Sequence, residues 1–283
     1  MMYNVLIACD AVPTGLAQAL ANAFATPLGS VDVSPSSELE ARNWDATVTC
    51  EYEGIRGDLD WMLTVYAAEE VAAHPSEESL SLALAQSLGV SVLYPWGTLP
   101  WIRKVATPPG ELTYARIEQP EGEEGEFRVT AVELPVPDFP GAAVGKLPEI
   151  VKDLPIPTPL ADDCVPPIRE AGWKNIHGLL ANWERLASRM AAKWPPSGWY
   201  PADMYREDLE CRDELENLIA PLPESARARI QDALMAVDSS YREGTVDDGG
   251  RALAARTDGL ESAEIALRPW YWHRRPATVP WEQ

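Results

Sequence analysis

The sequence predicts an α+β fold: a ferredoxin-like βαββαβ core with extra hairpin strands, then a proline-rich connector, then a small helical bundle. Three observations predict it. The apolar run Trp61-Met62-Leu63-Thr64-Val65-Tyr66, a polar break at His74 to Glu78, a leucine- and alanine-rich stretch to Leu88, and a second apolar run to Pro95 read as strand, helix, strand. Nine prolines fall between Pro135 and Pro167, a density that excludes helix interiors and central strands. Beyond them Trp173, Ile176, Leu180, Trp183, Leu186, Met190 and Trp194 recur at steps of three and four, which lays one wide apolar stripe along a helix. The expected division is an α+β domain over 1–134, a connector over 135–167, a helical domain over 168–268 and an aromatic tail over 269–283.

The elements follow in order. Tyr3 to Ala8, centred on Val5-Leu6-Ile7, forms the first strand, and Leu16 to Phe24 a short alanine-rich helix. After a loop rich in Ser and Pro, residues 46–53 alternate polar and apolar, as a strand with one wet face does. The strand from Trp61 follows. The helix over 79–88 carries leucines at 80, 84 and 88, and Gly89 stands where a helix end favours positive φ. The strand over 90–95 completes the split βαβ order. Hairpin strands are expected at 102–106, 112–117 and 127–133, with Pro108-Pro109-Gly110 and the acidic Glu121-Gly122-Glu123-Glu124-Gly125 as turns. In the helical part, further helices are expected over 201–219 and 223–241, and a weaker one over 252–267.

Charge narrows the function classes. The chain has a formal net charge of -21, of which residues 1–163 carry -17 and residues 164–283 carry -4. Such a surface repels nucleic acid and anionic lipid and attracts basic partners. The amino terminus has no basic leader followed by a small-residue cleavage site, and no window approaches the ~18 apolar residues of a membrane helix. A soluble, cytoplasmic protein is expected. Cys9, Cys50, Cys164 and Cys211 lie far apart without a CxxC pair, as suits reduced thiols.

Motifs of catalysis are missing. GxxxxGK[ST], GxGxxG and GxSxG do not occur, and His74, His177 and His273 have no HExxH or HxH partners. Asp162-Asp163-Cys164 with His177 has a spacing unlike that of zinc sites. Cys50, in the middle of an alternating strand, reads as a buried thiol rather than a nucleophile. No cofactor or metal is expected.

Four features are candidates for partner binding. Glu51, Glu53, Asp58 and Asp60 cluster around one strand and its turn. Trp96 and Trp101 flank the loop Gly97-Thr98-Leu99-Pro100, a poor place to bury an indole. On the second helix of the helical domain Asp203, Glu207, Glu210 and Glu214 fall at nearly one angle, opposite Leu209, Leu215 and Ile219. The tail Trp270-Tyr271-Trp272-His273-Arg274-Arg275 either docks on the body or anchors a partner, because Trp and Tyr dominate interface hot spots.

The run Leu82-Ala83-Leu84-Ala85-Gln86-Ser87-Leu88-Gly89-Val90-Ser91-Val92-Leu93-Tyr94-Pro95, with the tryptophan loop and the strand from Glu111 to Ile117, resembles the N-terminal part of immunity-type proteins encoded beside polymorphic toxins in actinobacteria. The closing Trp270-Tyr271-Trp272-His273-Arg274-Arg275-Pro276, with Pro280-Trp281, is similar in kind. The resemblance covers about half the chain and carries over no binding residue, since such families share none at fixed positions. It implies a non-enzymatic inhibitor of a cognate toxin. The expected function is thus a binding protein that neutralises a basic partner. The alternatives are a hydrolase or transferase with a carboxylate site hidden in the acidic background, and a regulatory or scaffold subunit.

Overall fold

A computed structural model describes residues 1–38, 40, 42–120, 125–164, 171–257 and 259–282. The chain divides into two compact units, Met1–Asp153 and Leu154–Gln283.

In the first unit the order is β1 (Met2–Ile7), α1 (Leu16–Ala23), β2 (Val31–Pro35), β3 (Val48–Gly54), β4 (Arg56–Gly57), β5 (Trp61–Ala67), α2 (Glu77–Leu88), β6 (Val92–Pro95), β7 (Ile102–Ala106), β8 (Leu112–Glu118), β9 (Glu126–Val132), β10 (Ala143–Val144) and α3 (Pro148–Asp153). These strands form one mixed sheet in the order β10-β9-β8-β7-β6-β1-β5-β3-β2, with β4 pairing β9 off that path. From β3 through β5, β1, β6, β7 and β8 to β9, neighbours are antiparallel; β2 joins β3, and β10 and β4 join β9, in parallel.

Alternation decides what each face of the sheet meets. Tyr3, Val5 and Ile7, Val48 and Cys50, and Leu63 and Val65 point to the side covered by Leu16 and Leu20 of α1, by Phe24 just after it, and by Leu80 and Leu84 of α2. Each fully buried leucine there contributes roughly 1.5–3 kcal/mol. Helix α2 begins where Ser76 Oγ accepts a hydrogen bond from the Ser79 amide at 3.1 Å, and Glu77 and Glu78 lie at the positive end of its dipole. It ends at Gly89, whose φ of 72° is left-handed, as the sequence leads one to expect. The other face buries Leu6, Leu93, Val105, Ala115, Ile117, Val129 and Val132 under Leu59, Val136 and Phe139.

The described part of the proline-rich stretch, 135–164, carries packed structure of its own. Val136, Phe139, Leu147, Ile150 and Val151 are buried, so residues 135–153 belong to the first unit and the division falls at 153/154 rather than across 135–167. The prolines hold helix starts: Pro148 is the first residue of α3, and Pro159 that of α4 (Pro159–Cys164), a position where the missing N–H costs nothing.

The second unit continues with α5 (Ala171–Ala191), α6 (Ala202–Ile219), α7 (Glu224–Gly244), β11 (Thr245–Asp247), α8 (Arg251–Ala254), α9 (Ser262–Ile265) and β12 (Arg274–Pro276). The helical stripe is real along α5, where Ile176, Leu180, Trp183, Leu186 and Met190 are buried. Trp194 departs from it: α5 ends at Ala191, Lys193 and Trp194 both have φ of 61°, and the Trp194 ring packs 5.0 Å from that of Tyr200. The weak helix over 252–267 is two single turns, α8 and α9.

The core of this unit is aromatic and partly ionic. Trp183 Nε1 donates to Asp238 Oδ1 at 2.8 Å, and Arg212, 2% exposed, reaches Asp238 Oδ2 at 3.2 Å. The guanidinium also lies 4.9 Å from the centre of the Tyr271 ring, a cation–π contact. The tail docks on its own unit. Tyr271 and Trp272 are fully buried, and both donate to Asp213 of α6. The hydroxyls of Tyr205 and Tyr241 are hydrogen-bonded, and Tyr241 donates to the Tyr271 carbonyl at 3.0 Å.

Candidate functional site

The strand carboxylates are already partly engaged. Glu51 on β3 forms an ion pair with Arg42. Asp58, although exposed, accepts the Val129 amide at 2.8 Å and so holds β9 beside the turn of Gly57. That turn needs glycine: φ at Gly57 is 101°, and a Cβ there would lie 2.2 Å from the Phe127 carbonyl oxygen. Asp60 is half-buried, with its amide bonded to the Ile7 carbonyl at 3.0 Å. Glu53 is exposed at the end of β3.

The two loop tryptophans differ in environment. Trp96 is half-buried, edge-on to Tyr114 at 5.3 Å, and packs with Ile102, Ala131, Leu147 and Ile150. The loop between them is itself pinned, because Thr98 donates both its amide and its hydroxyl to Asp153. Trp101 remains 46% exposed.

The carboxylates of α6 have the geometry expected of them. Asp203, Glu207, Glu210 and Glu214 are all exposed, while Tyr205, Leu209, Arg212, Leu215 and Ile219 on the opposite side are buried. Arg206 sits between two of them, 4.0 Å from Asp203 and 3.6 Å from Glu210. From Asp203 to Glu214 the stripe runs about 16 Å along the helix.

The residues of the suggested metal cluster part company. His177 Nε2 lies 2.8 Å from Asp162 Oδ1, but the Cys164 thiol donates to the Arg229 carbonyl at 3.4 Å. Asp163 presents its carbonyl to Arg229 at 2.7 Å. Cys50 is fully buried and burial pushes its thiol up to about 12, which leaves no thiolate for nucleophilic attack near neutral pH.

One concave site was not read from the sequence. A cavity of about 710 Å³ in the first unit is lined by Trp101, Arg103, Ile117, Glu118, Phe127 and Arg128, with flanking prolines. Trp101, whose carbonyl accepts the Ile117 amide at 2.8 Å just ahead of β7, and Arg103 within β7 stand two apart, hence on one side of the sheet. Arg128 is held by Glu126 at 2.7 Å. Arg103 has its Nε buried with no hydrogen-bond partner. Burial pushes its guanidinium pKa down, against the opposing field of Glu77; arginine stays charged even so. The signal was present as the alternation Trp101, Arg103, Val105, but only the partner strands β8 and β9 make it a cavity.

Among the described residues no helix is long and apolar enough to cross a membrane. No family model matches the chain, and no curated protein or solved structure matches it either.

Proposed function

We propose that this chain is a binding protein that neutralises a basic protein partner, in the manner of a toxin immunity protein in the cytoplasm. One observation carries the reading: four carboxylates stand in solvent along one side of α6, whose other side is locked by buried Leu209, Leu215 and Ile219 and by the Arg212–Asp238 pair. A helix so fixed presents its charges on an already ordered backbone, so that binding has only their side-chain freedom left to restrict. The net charge of -21 supplies the long-range attraction. Glu53, Asp60 and Trp101 in the first unit are secondary contact candidates, while Glu51, Asp58 and Trp96 have structural partners that account for them.

In this reading the strands β6-β1-β5-β3, antiparallel and linked as strand, helix, strand, strand, helix, strand, are a ferredoxin-like core, with β2 and β7 to β10 added at its edges. Helices α5, α6 and α7 are the small bundle that presents the acidic side.

The experiment is co-purification of the chain with the basic product of the gene adjacent to its own. Retention of that product by the natural chain, and its loss with Asp203→Lys, Glu207→Lys and Glu210→Lys together, is the expected result. Retention that is indifferent to those three changes would remove α6 from the interface.

A further inference from the structure

The cavity beside β7 belongs to the first unit and shares no residue with α6. Its apolar walls are Trp101, Ile117 and Phe127, its cations are Arg103 and Arg128, and the Glu118 carboxylate also lines it. Two features of it bear on a ligand. An indole 46% exposed on a sheet face leaves apolar surface in water. Arg103 brings its guanidinium to the cavity, and because its Nε is enclosed by protein it meets the cavity through its terminal nitrogens. One kind of molecule answers both. A flat ring stacks against the indole and phenyl side chains, and a carboxylate matches the planar fork of arginine, accepting from its two terminal nitrogens at once. At about 710 Å³ the cavity has the size of a small-molecule site.

We propose that this cavity binds a small aromatic carboxylate, its ring against Trp101 and Phe127 and its carboxylate on the Arg103 guanidinium. The acidity of the chain as a whole slows the approach of an anion but does not decide what a fixed, half-enclosed cation holds once it arrives. Arg128 lies at the same cavity but already has the Glu126 carboxylate, so Arg103 is the discriminating residue.

The test is calorimetric titration of the full chain with 2-naphthoate, with neutral 2-naphthamide, and with inorganic phosphate. The expected result is one naphthoate per chain, bound about tenfold or more tighter than naphthamide, since charge-assisted hydrogen bonds exceed neutral ones by that margin. Arg103→Gln should bring naphthoate down to the affinity of naphthamide, and Trp101→Ala should weaken both. Absence of saturable naphthoate binding, or an affinity unchanged by Arg103→Gln in a variant that keeps its circular dichroism, overturns the proposal. Phosphate binding as tightly as naphthoate would make this a plain anion site and overturn it too. If Arg103→Gln fails to fold, Trp101→Ala decides: its side chain is exposed enough to be dispensable for folding, and naphthoate affinity unaffected by its loss refutes the ring-stacking arrangement.

Discussion

Asp238→Ala tests how the second unit is held together. Its carboxylate takes the Trp183 indole N–H at 2.8 Å and the Arg212 guanidinium at 3.2 Å, and the Arg212 side chain is only 3% exposed. Removing it leaves a buried cation and an indole N–H without their acceptor. Breaking a buried pair from one side costs about 3–5 kcal/mol, because the remaining charge stays desolvated. Glu216 lies 2.8 Å from another nitrogen of Arg212 and, although 47% exposed, still opposes part of the stranded charge, so the loss should fall near the lower figure. For a unit of this size that is a fall in Tm of about 10 °C or more. The assay is thermal unfolding followed by near-ultraviolet circular dichroism, which reports Trp183 and its aromatic neighbours. Arg212→Leu with Asp238→Leu should be no worse than Asp238→Ala, since only the indole N–H is then stranded, at about 1–3 kcal/mol. A loss below about 1 kcal/mol for Asp238→Ala would refute the claim that this network organises the helices.

Three smaller predictions concern local structure. Ser76→Ala removes the cap of α2 and should cost about 1 kcal/mol in urea unfolding; no change would mean the Ser79 amide finds another acceptor. Lys193→Gly should stabilise by about 0.5–1 kcal/mol, because φ at this exposed lysine is 61° and glycine enters that region without a side-chain clash; a loss of stability would contradict the backbone geometry just after α5. Burial pushes the Asp208 carboxyl up to about 7, with the Tyr200 hydroxyl and Arg189 opposing. Between the unfolded value near 3.9 and about 7, the folded chain holds a proton that the unfolded chain has released, so stability falls as pH rises through that window. Asp208→Asn should flatten that part of the stability profile, and a profile unchanged by the substitution would exclude Asp208 as its source.

Much of the sheet and of the helical stripe was legible because alternation and steps of three or four are local properties. The strands at 102–106 and 112–118, the cap at Gly89 and the stripe of α5 depend on neighbours within a few residues. Strand β2 was not legible: Val31-Asp32-Val33-Ser34-Pro35 sits in a Ser- and Pro-rich stretch and is a strand only through parallel pairing with β3 at the sheet margin. The prolines misled in a specific way. Among the described residues 135–164 the helices are short, but Val136, Phe139, Leu147 and Ile150, spaced among the prolines, bury themselves in the first unit. For the sites, the exposure of Asp203, Glu207, Glu210 and Glu214 followed from helix angle alone. The engagement of Glu51 by Arg42 and of Asp58 by the Val129 amide, and the enclosure of Trp96, depend on chain segments remote in sequence or on loop geometry. The acidic turn Glu121-Gly122-Glu123-Glu124 lies outside the described residues.

The central claim, that the acidic side of α6 captures a basic partner, is tested most directly by the rate of association with the basic product of the adjacent gene, measured by stopped flow as ionic strength is raised. At about 0.15 M salt the field of exposed charges is already screened beyond roughly 8 Å, so the rate should fall about tenfold or more from low to high salt. Reversing Asp203, Glu207 and Glu210 to lysine should slow association at low salt with little change in dissociation, whereas reversing Glu51, Glu53, Asp58 and Asp60 should matter less. A rate that does not respond to salt, or that responds to the strand carboxylates and not to the helix, contradicts the account.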